Sequence, residues 1–138
     1  MTSTSSAETS ILPISATWPI ATYAGDTIRI GARVTPGSSY SGYFVSITSA
    51  AAWSIIRIDN GGGPVTLASG VTQTLASGDK VGIRISGSVV TALHYTSAGW
   101  TQVLSYNTSQ DAVRYTSPGS LAIEFRAGAF DDFGAGTI

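Results

Sequence analysis

The sequence predicts an all-β fold, a single antiparallel β-sandwich, and three observations carry that prediction. Short stretches in which apolar and polar residues alternate recur along most of the chain. Gly, Ser, Asn and Asp separate them at intervals of about 8 to 12 residues, the spacing of short strands joined by turns. No comparable stretch carries the 3.6-residue period of a helix. At 138 residues the chain suits one domain with one core, since a domain of that size buries roughly two thirds of the surface its unfolded chain exposes.

Met1 to Ser10 is rich in Ser and Thr with little to bury, so residues 1–10 are expected to form a flexible arm and 11–138 the sandwich. Pro13, Trp18, Pro19 and Tyr23 follow, a mixture that suits an edge strand or irregular cover because proline cannot donate to a central ladder. From Thr27 to Thr35, Ile28, Ile30, Ala32 and Val34 are expected to face inward and Arg29, Gly31 and Arg33 outward, with Pro36-Gly37-Ser38 closing the strand. Gly42 to Thr48 reads as the next strand, with Tyr43, Val45 and Ile47 on one face, and Trp53 to Asp59 as its partner.

Asp59-Asn60-Gly61-Gly62 is a hairpin signal, because Asn and Gly tolerate positive φ. Val65–Ala68 and Val71–Leu75 read as two short strands flanking Ser69-Gly70. Lys80 to Ser86 alternates cleanly, with Val81, Ile83 and Ile85 on one face and Lys80, Gly82 and Arg84 on the other. After Gly87-Ser88, Val89–Tyr95 runs back, Ser97-Ala98-Gly99 turns the chain, and Trp100–Tyr106 follows with Trp100, Gln102 and Leu104 on one side. Asn107–Ser117 is polar, with a helical turn or short edge strand expected near Asp111–Tyr115. Leu121, Ile123 and Phe125 mark a final core strand, and 129–138 a terminal one.

Charged residues make up 11% of the chain, against about 25% in an average soluble domain, so Ser, Thr and Gly carry its solubility. Such surfaces suit a virion-surface or extracellular setting. The formal charge is −1 and the seven cations are scattered, which excludes the basic stripe of a nucleic-acid partner. No cysteine is present, so disulfides, thiolate metal sites and a cysteine nucleophile are excluded together. No apolar run approaches the roughly 20 residues of a membrane span.

The order of segments carries more than any one of them. Gly42-Tyr43-Phe44-Val45 is followed by Trp53-Ser54-Ile55-Ile56-Arg57-Ile58, a Gly-rich hairpin, Val65-Thr66-Leu67-Ala68, and Thr74-Leu75-Ala76-Ser77-Gly78-Asp79-Lys80-Val81-Gly82-Ile83. Tyr115-Thr116-Ser117-Pro118-Gly119-Ser120-Leu121-Ala122-Ile123 and Phe130-Asp131-Asp132-Phe133-Gly134-Ala135-Gly136 close the series. Over roughly residues 26–138 this resembles the concanavalin A-like, laminin G-like jelly-roll domains of bacterial secreted proteins and of bacteriophage tail, fibre and capsid-surface proteins. The resemblance implies a jelly roll. It departs at the start, where such domains open with an Asp-Phe-containing strand that pairs with the closing one. Either Ile11–Ile14 takes that place with another sequence, or the closing strand pairs outside the domain as an assembly edge.

No catalytic set emerges. Glycosidases of this architecture need paired carboxylates, whereas Glu124 stands alone between Ile123 and Phe125 and is expected in a surface ion pair. His94 is the only histidine, and its plain role is a solvated or hydrogen-bonded strand residue. Asp131 and Asp132 are weak candidates for a structural Ca²⁺, because hard oxygen ligands suit that ion but adjacent strand residues point to opposite faces. No cofactor is otherwise expected.

Sugar binding uses exposed aromatic rings, and the candidates are Tyr40, Tyr106, Trp53 and Trp100, with core capping the stronger expectation for the two tryptophans. The leading expectation is a non-enzymatic virion-surface module, a bacteriophage decoration, fibre or minor tail protein. It would contact other virion proteins, copies of itself or cell-surface glycans. The alternative is a carbohydrate-binding module of a secreted bacterial protein.

Overall fold

The structure, a computed structural model, describes residues 8–13, 27–35, 37–48, 51–76, 78–116, 119–125 and 134–135. Ten strands form two five-stranded sheets. The first has the order β10-β1-β6-β7-β8, built from β1 (Glu8–Pro13), β6 (Lys80–Ser86), β7 (Val89–Thr96), β8 (Gly99–Asn107) and β10 (Gly134–Ala135). The second has the order β5-β4-β3-β2-β9, from β2 (Thr27–Thr35), β3 (Ser41–Thr48), β4 (Ala52–Ile58), β5 (Val65–Thr72) and β9 (Ser120–Phe125). Every pairing is antiparallel. The described residues include no helix, and the architecture is the all-β, jelly-roll-like sandwich that the sequence predicts.

Alternation places the core between the sheets. Ile28, Ile30, Ala32, Tyr43, Val45, Ile47, Trp53 and Ile55 of the second sheet meet Val81, Ile83, Ile85, Val90 and Ala92 of the first, all buried. Leu75, in the crossover from β5 to β6, closes one end of this layer. The outer face of the second sheet carries its own apolar cluster, in which Val34, Phe44, Ile56 and Ile58 are buried and Tyr40 packs at the margin. Tyr40 meets Phe44 edge-to-face with ring centroids 5.9 Å apart.

The strand interiors follow the sequence, and the departures come at bulges. Two residues of β2, Arg33 and Val34, oppose Gly42 alone, because the register runs from Ala32↔Tyr43 to Thr35↔Ser41. Arg33 takes a positive φ of 55° there and turns inward, while Val34 joins the outer cluster. Both reverse the facing expected from strict alternation. A second bulge, between Ala92 and Leu93, pairs Leu93 with Gln102 but Ala92 with Leu104. Leu104 and Tyr106 therefore pack on the core, whereas Trp100 pairs with Tyr95 on the outer face instead of sharing a side with Leu104.

Residues 65–72 form one bulged strand, not two, with Gly70 at a φ of 99° absorbing the irregularity. The 108–116 connection contains neither the helical turn nor the edge strand expected near Asp111. The opening strand is present: β1 lies between β6 and β10, with Ser10 opposite Ala135 and Ile11 opposite Gly134. Its closing partner is thus within the chain, which removes the alternative of a strand left to pair elsewhere. β1 begins at Glu8, inside the stretch expected to be an arm.

Candidate functional site

At one end of the sandwich, the sheet edges β5 and β8 face each other and the 108–116 connection crosses from the first sheet to the second. Three contacts pin that crossing. The backbone N–H of Tyr115 donates to Tyr43 Oη at 3.1 Å, and Arg33 Nη1 donates to the carbonyl of Tyr115 at 3.1 Å and to that of Gly87 at 3.0 Å. Tyr115 also rests edge-on against Tyr43, with centroids 5.6 Å apart. The bulge in β2 thus has a consequence: it turns the Arg33 guanidinium inward, where it joins both sheets and the crossing segment.

Beside this anchor lies a cleft of about 460 Å³ lined by Arg57, Val65, Thr66, Leu67, Tyr106 and residues 110–113. Its size falls within the range of small-ligand sites, roughly 300–1,000 Å³. Arg57 reaches it from β4, with Nε donating to Asp59 Oδ1 at 2.9 Å and Oδ2 at 3.1 Å. Tyr115 Oη donates to the same Oδ1. The Arg57 and Asp59 side chains keep 13% and 33% of their exposure, so the pair is not sealed in the core, and Arg57 lines the cleft.

Burial acts to raise the Asp59 carboxyl, but hydrogen bonds from Arg57 and Tyr115, with the Arg57 charge, outweigh it and hold the group below the usual carboxylate value. The hydrogen bond to Asp59 raises Arg57 in turn, against the desolvation that lowers it. Burial, followed by the bond to Asp59, raises Tyr115.

The opposite wall is different. Tyr106 Oη donates to Asp111 Oδ1 at 2.8 Å, and that bond is the main cause of the raised Tyr106 pKa. The second oxygen, Asp111 Oδ2, is buried and has no hydrogen-bond partner among the described residues. Buried carboxylate oxygens are normally satisfied, and this one is closed to solvent although Asp111 lines the cleft. Gln110 and Thr66 supply further polar groups, and Val65 and Val113 are exposed apolar neighbours.

The four aromatic candidates are dispersed. Tyr106 lines the cleft. Tyr40 is packed on the outer cluster of the second sheet. Trp100 lies on the outer face of the first sheet, 5.3 Å from Tyr95, whose ring also carries Lys80 Nζ at 5.0 Å. Trp53 is 1% exposed and donates from Nε1 to the Gln73 carbonyl at 2.9 Å, so it offers no ring face to a ligand. Burial corrects its place among the stacking candidates and fits the core-capping expectation. Arg57, Asp59 and Asp111 were missed as site residues because each has an ordinary local reading, as strand exterior, turn residue and loop residue. Only the packing of β4 against the 108–116 connection brings them together.

His94 is buried at the other end of the sandwich, where Nδ1 lies 2.8 Å from Gln73 Oε1 and Nε2 lies 2.8 Å from Asp79 Oδ2. Asp79 also accepts from the Ala76 N–H at 3.0 Å, so the histidine is hydrogen-bonded as expected but ties the β5–β6 crossover to β7 instead of meeting solvent. Backbone register sets Glu124 opposite Arg29. Asp131 and Asp132 lie outside the described residues, among which no cluster of three or more His, Cys, Asp or Glu side chains is placed to hold a metal ion. No helix among the described residues is long and apolar enough to cross a membrane.

No family model matches the chain, and no curated protein matches it in sequence. Among solved structures, the carbohydrate-binding module CBM66 from Bacillus subtilis is similar to it, with a TM-score of 0.63 and 11% sequence identity over 95% of this chain and 74% of that one. Identity this low shows a shared fold.

Proposed function

We propose that the chain is a non-catalytic carbohydrate-binding module and that the cleft between Arg57 and Asp111 is its binding site. The observation that carries this reading is a cleft of ligand size in which an arginine, a tyrosine ring and further polar side chains converge. Sugars are polyols, and a site that binds them needs fixed donors and acceptors beside a ring. Arg57, Gln110, Thr66 and Asp111 supply the polar groups, and Tyr106 supplies the ring. The likeness to a protein named as a carbohydrate-binding module supports the same reading. Nothing comparable favours the virion-lattice role, so the glycan-binding alternative becomes the main one.

The state of Asp59 supports the non-catalytic part of this proposal. Hydrolysis of a glycosidic bond needs a carboxylic acid that keeps its proton at working pH. Asp59 is displaced the other way, and its oxygens are engaged by Arg57 and Tyr115. An extracellular setting and the absence of a cofactor belong to the same proposal.

A glycan array probed with the intact chain tests it. Retention of at least one glycan class, abolished by Tyr106→Ala but kept by Tyr40→Ala, is the expected outcome. A folded protein that retains none, or one that turns over a polysaccharide, contradicts it.

A further inference from the structure

We infer that the outer face of the first sheet is a second binding site, one that takes acidic sugars, with Tyr95 and Trp100 as its aromatic platform and Lys80 and Arg84 as its cations. A cross-strand row carries the inference. Lys80 in β6 is paired with Tyr95 in β7, and Tyr95 with Trp100 in β8. Val81, Ile83, Val90 and Ala92 turn into the core, so alternation puts this row on the outside. Lys80 Nζ lies 5.0 Å from the centroid of the Tyr95 ring, within cation–π range, and the Trp100 ring lies 5.3 Å from that of Tyr95, tilted by 56°. All three side chains are half-buried, so each keeps part of its surface in solvent. Trp100 takes no part in the cleft beside Arg57.

Charge sets the class of ligand. Arg84 lies on the same face of β6 and is exposed. It is four residues from Lys80, about 13 Å along the strand at a rise of roughly 3.3 Å per residue. Neither cation makes an ion pair among the described residues. No carboxylate among the described residues offsets them on this face. Asp79 adjoins Lys80 in sequence but is buried, and its Oδ2 is engaged by His94 Nε2 at 2.8 Å and by the Ala76 N–H at 3.0 Å. Asp59 and Asp111 belong to the Arg57 cleft, and Glu124 to the second sheet. Glu8 is in register with Ile85, a core position.

Two rings beside two uncompensated cations make a specific demand. The rings offer the apolar face of a sugar a surface to stack on, whatever its charge. The ammonium and the guanidinium favour a sugar that carries a carboxylate or a sulfate, because their bonds to an anion are stronger than those to a neutral hydroxyl. An extended acidic chain laid along β6 would meet both cations. Tyr95 also walls a cleft of about 460 Å³ together with Gly78, Asp79, Thr96 and Ser97, so the platform ends in a recess with hydroxyl groups in its lining.

The test is titration of the intact chain, followed by amide chemical shifts, with four probes: an oligogalacturonate, a dextran sulfate oligomer, the uncharged dextran oligomer, and polyglutamate, which has charge but no sugar ring. Binding of either acidic sugar is expected, with perturbations concentrated on residues 80, 84, 95 and 100. It should weaken as salt is raised, and by about tenfold or more in Lys80→Gln, the consequence of losing a charged donor. Trp100→Ala should weaken it to a similar extent through loss of the stacking surface. The inference is overturned if the perturbations are confined to residues 57, 65–67, 106 and 110–113, or if no probe binds. Uncharged dextran bound on this face as tightly as its sulfate, or polyglutamate bound as tightly as the acidic sugars, overturns it as well. So does unchanged affinity in a folded Lys80→Gln chain. The comparison of probes is made on the unmodified protein, so it decides the matter even if a substituted chain folds poorly. Each site is identified by its own residues, and failure of this one leaves the Arg57 cleft reading intact.

Discussion

Gly42 sits opposite the β2 bulge because nothing larger fits. A Cβ built there would lie 2.9 Å from both Cα and Cγ2 of Val34 and 3.1 Å from the Arg33 carbonyl. Gly42→Ala is accordingly expected to lower stability by roughly 1–3 kcal/mol, the cost of overpacking against backbone, measured by chemical denaturation. It should also loosen Arg33, and with it the crossing at Tyr115. Neither the bulge nor its role was legible in the sequence, since Ile28 to Val34 alternates without a break and arginine has no special tendency toward positive φ. What strict alternation does show, such as Val81, Ile83 and Ile85 in the core, the structure repeats.

Asp59 allows a second prediction at the same scale. Its folded pKa lies below the ordinary value of about 3.9, so its ionised form contributes stability that is present above that value and lost as pH falls through the folded one. Tyr115 has the opposite sign: its folded pKa is raised, so its contribution is complete below about pH 10 and is lost as pH rises through the folded value. The melting temperature should fall on both limbs, and Asp59→Asn should flatten the acid limb. An unchanged acid limb in that variant would contradict the assignment.

Strands and turns show the same mixture of the legible and the hidden. Asp59-Asn60-Gly61 announces a tight turn, and Asn60 and Gly61 take φ values of 51° and 68°. Gly61→Ala would strain that φ and bring a Cβ to 3.1 Å from the Ser38 carbonyl, so a loss of about 1 kcal/mol or more is expected from thermal melts. The opening strand was harder to see, because Glu8–Pro13 lacks the expected family sequence and ends in proline. Its identity comes from register, with Glu8 to Pro13 running opposite Ile85 to Lys80. A chain starting at Ile11 loses Glu8, Thr9 and Ser10, half of that register, and should melt at a clearly lower temperature. Equal stability would show those residues to be dispensable to the sheet.

For the molecule as a whole, fold class was readable from period and turn spacing, while the site was not. A core depends on alternation, which is local. The cleft depends on Arg57 in β4 and Asp111 beyond β8 meeting across the edges β5 and β8, an adjacency that no short stretch encodes. Tyr106 alone was anticipated there, because it flanks a turn. The low charge content leaves Arg57 few charged rivals, and β4 holds it through pairing with β3 and β5. Glycan binding at this cleft is checked by amide chemical-shift mapping of the intact chain titrated with an oligosaccharide selected on the array. Perturbations concentrated on residues 57, 65–67, 106 and 110–113 are expected; perturbations centred on Tyr95 and Trp100, or none at saturating sugar, would contradict binding there.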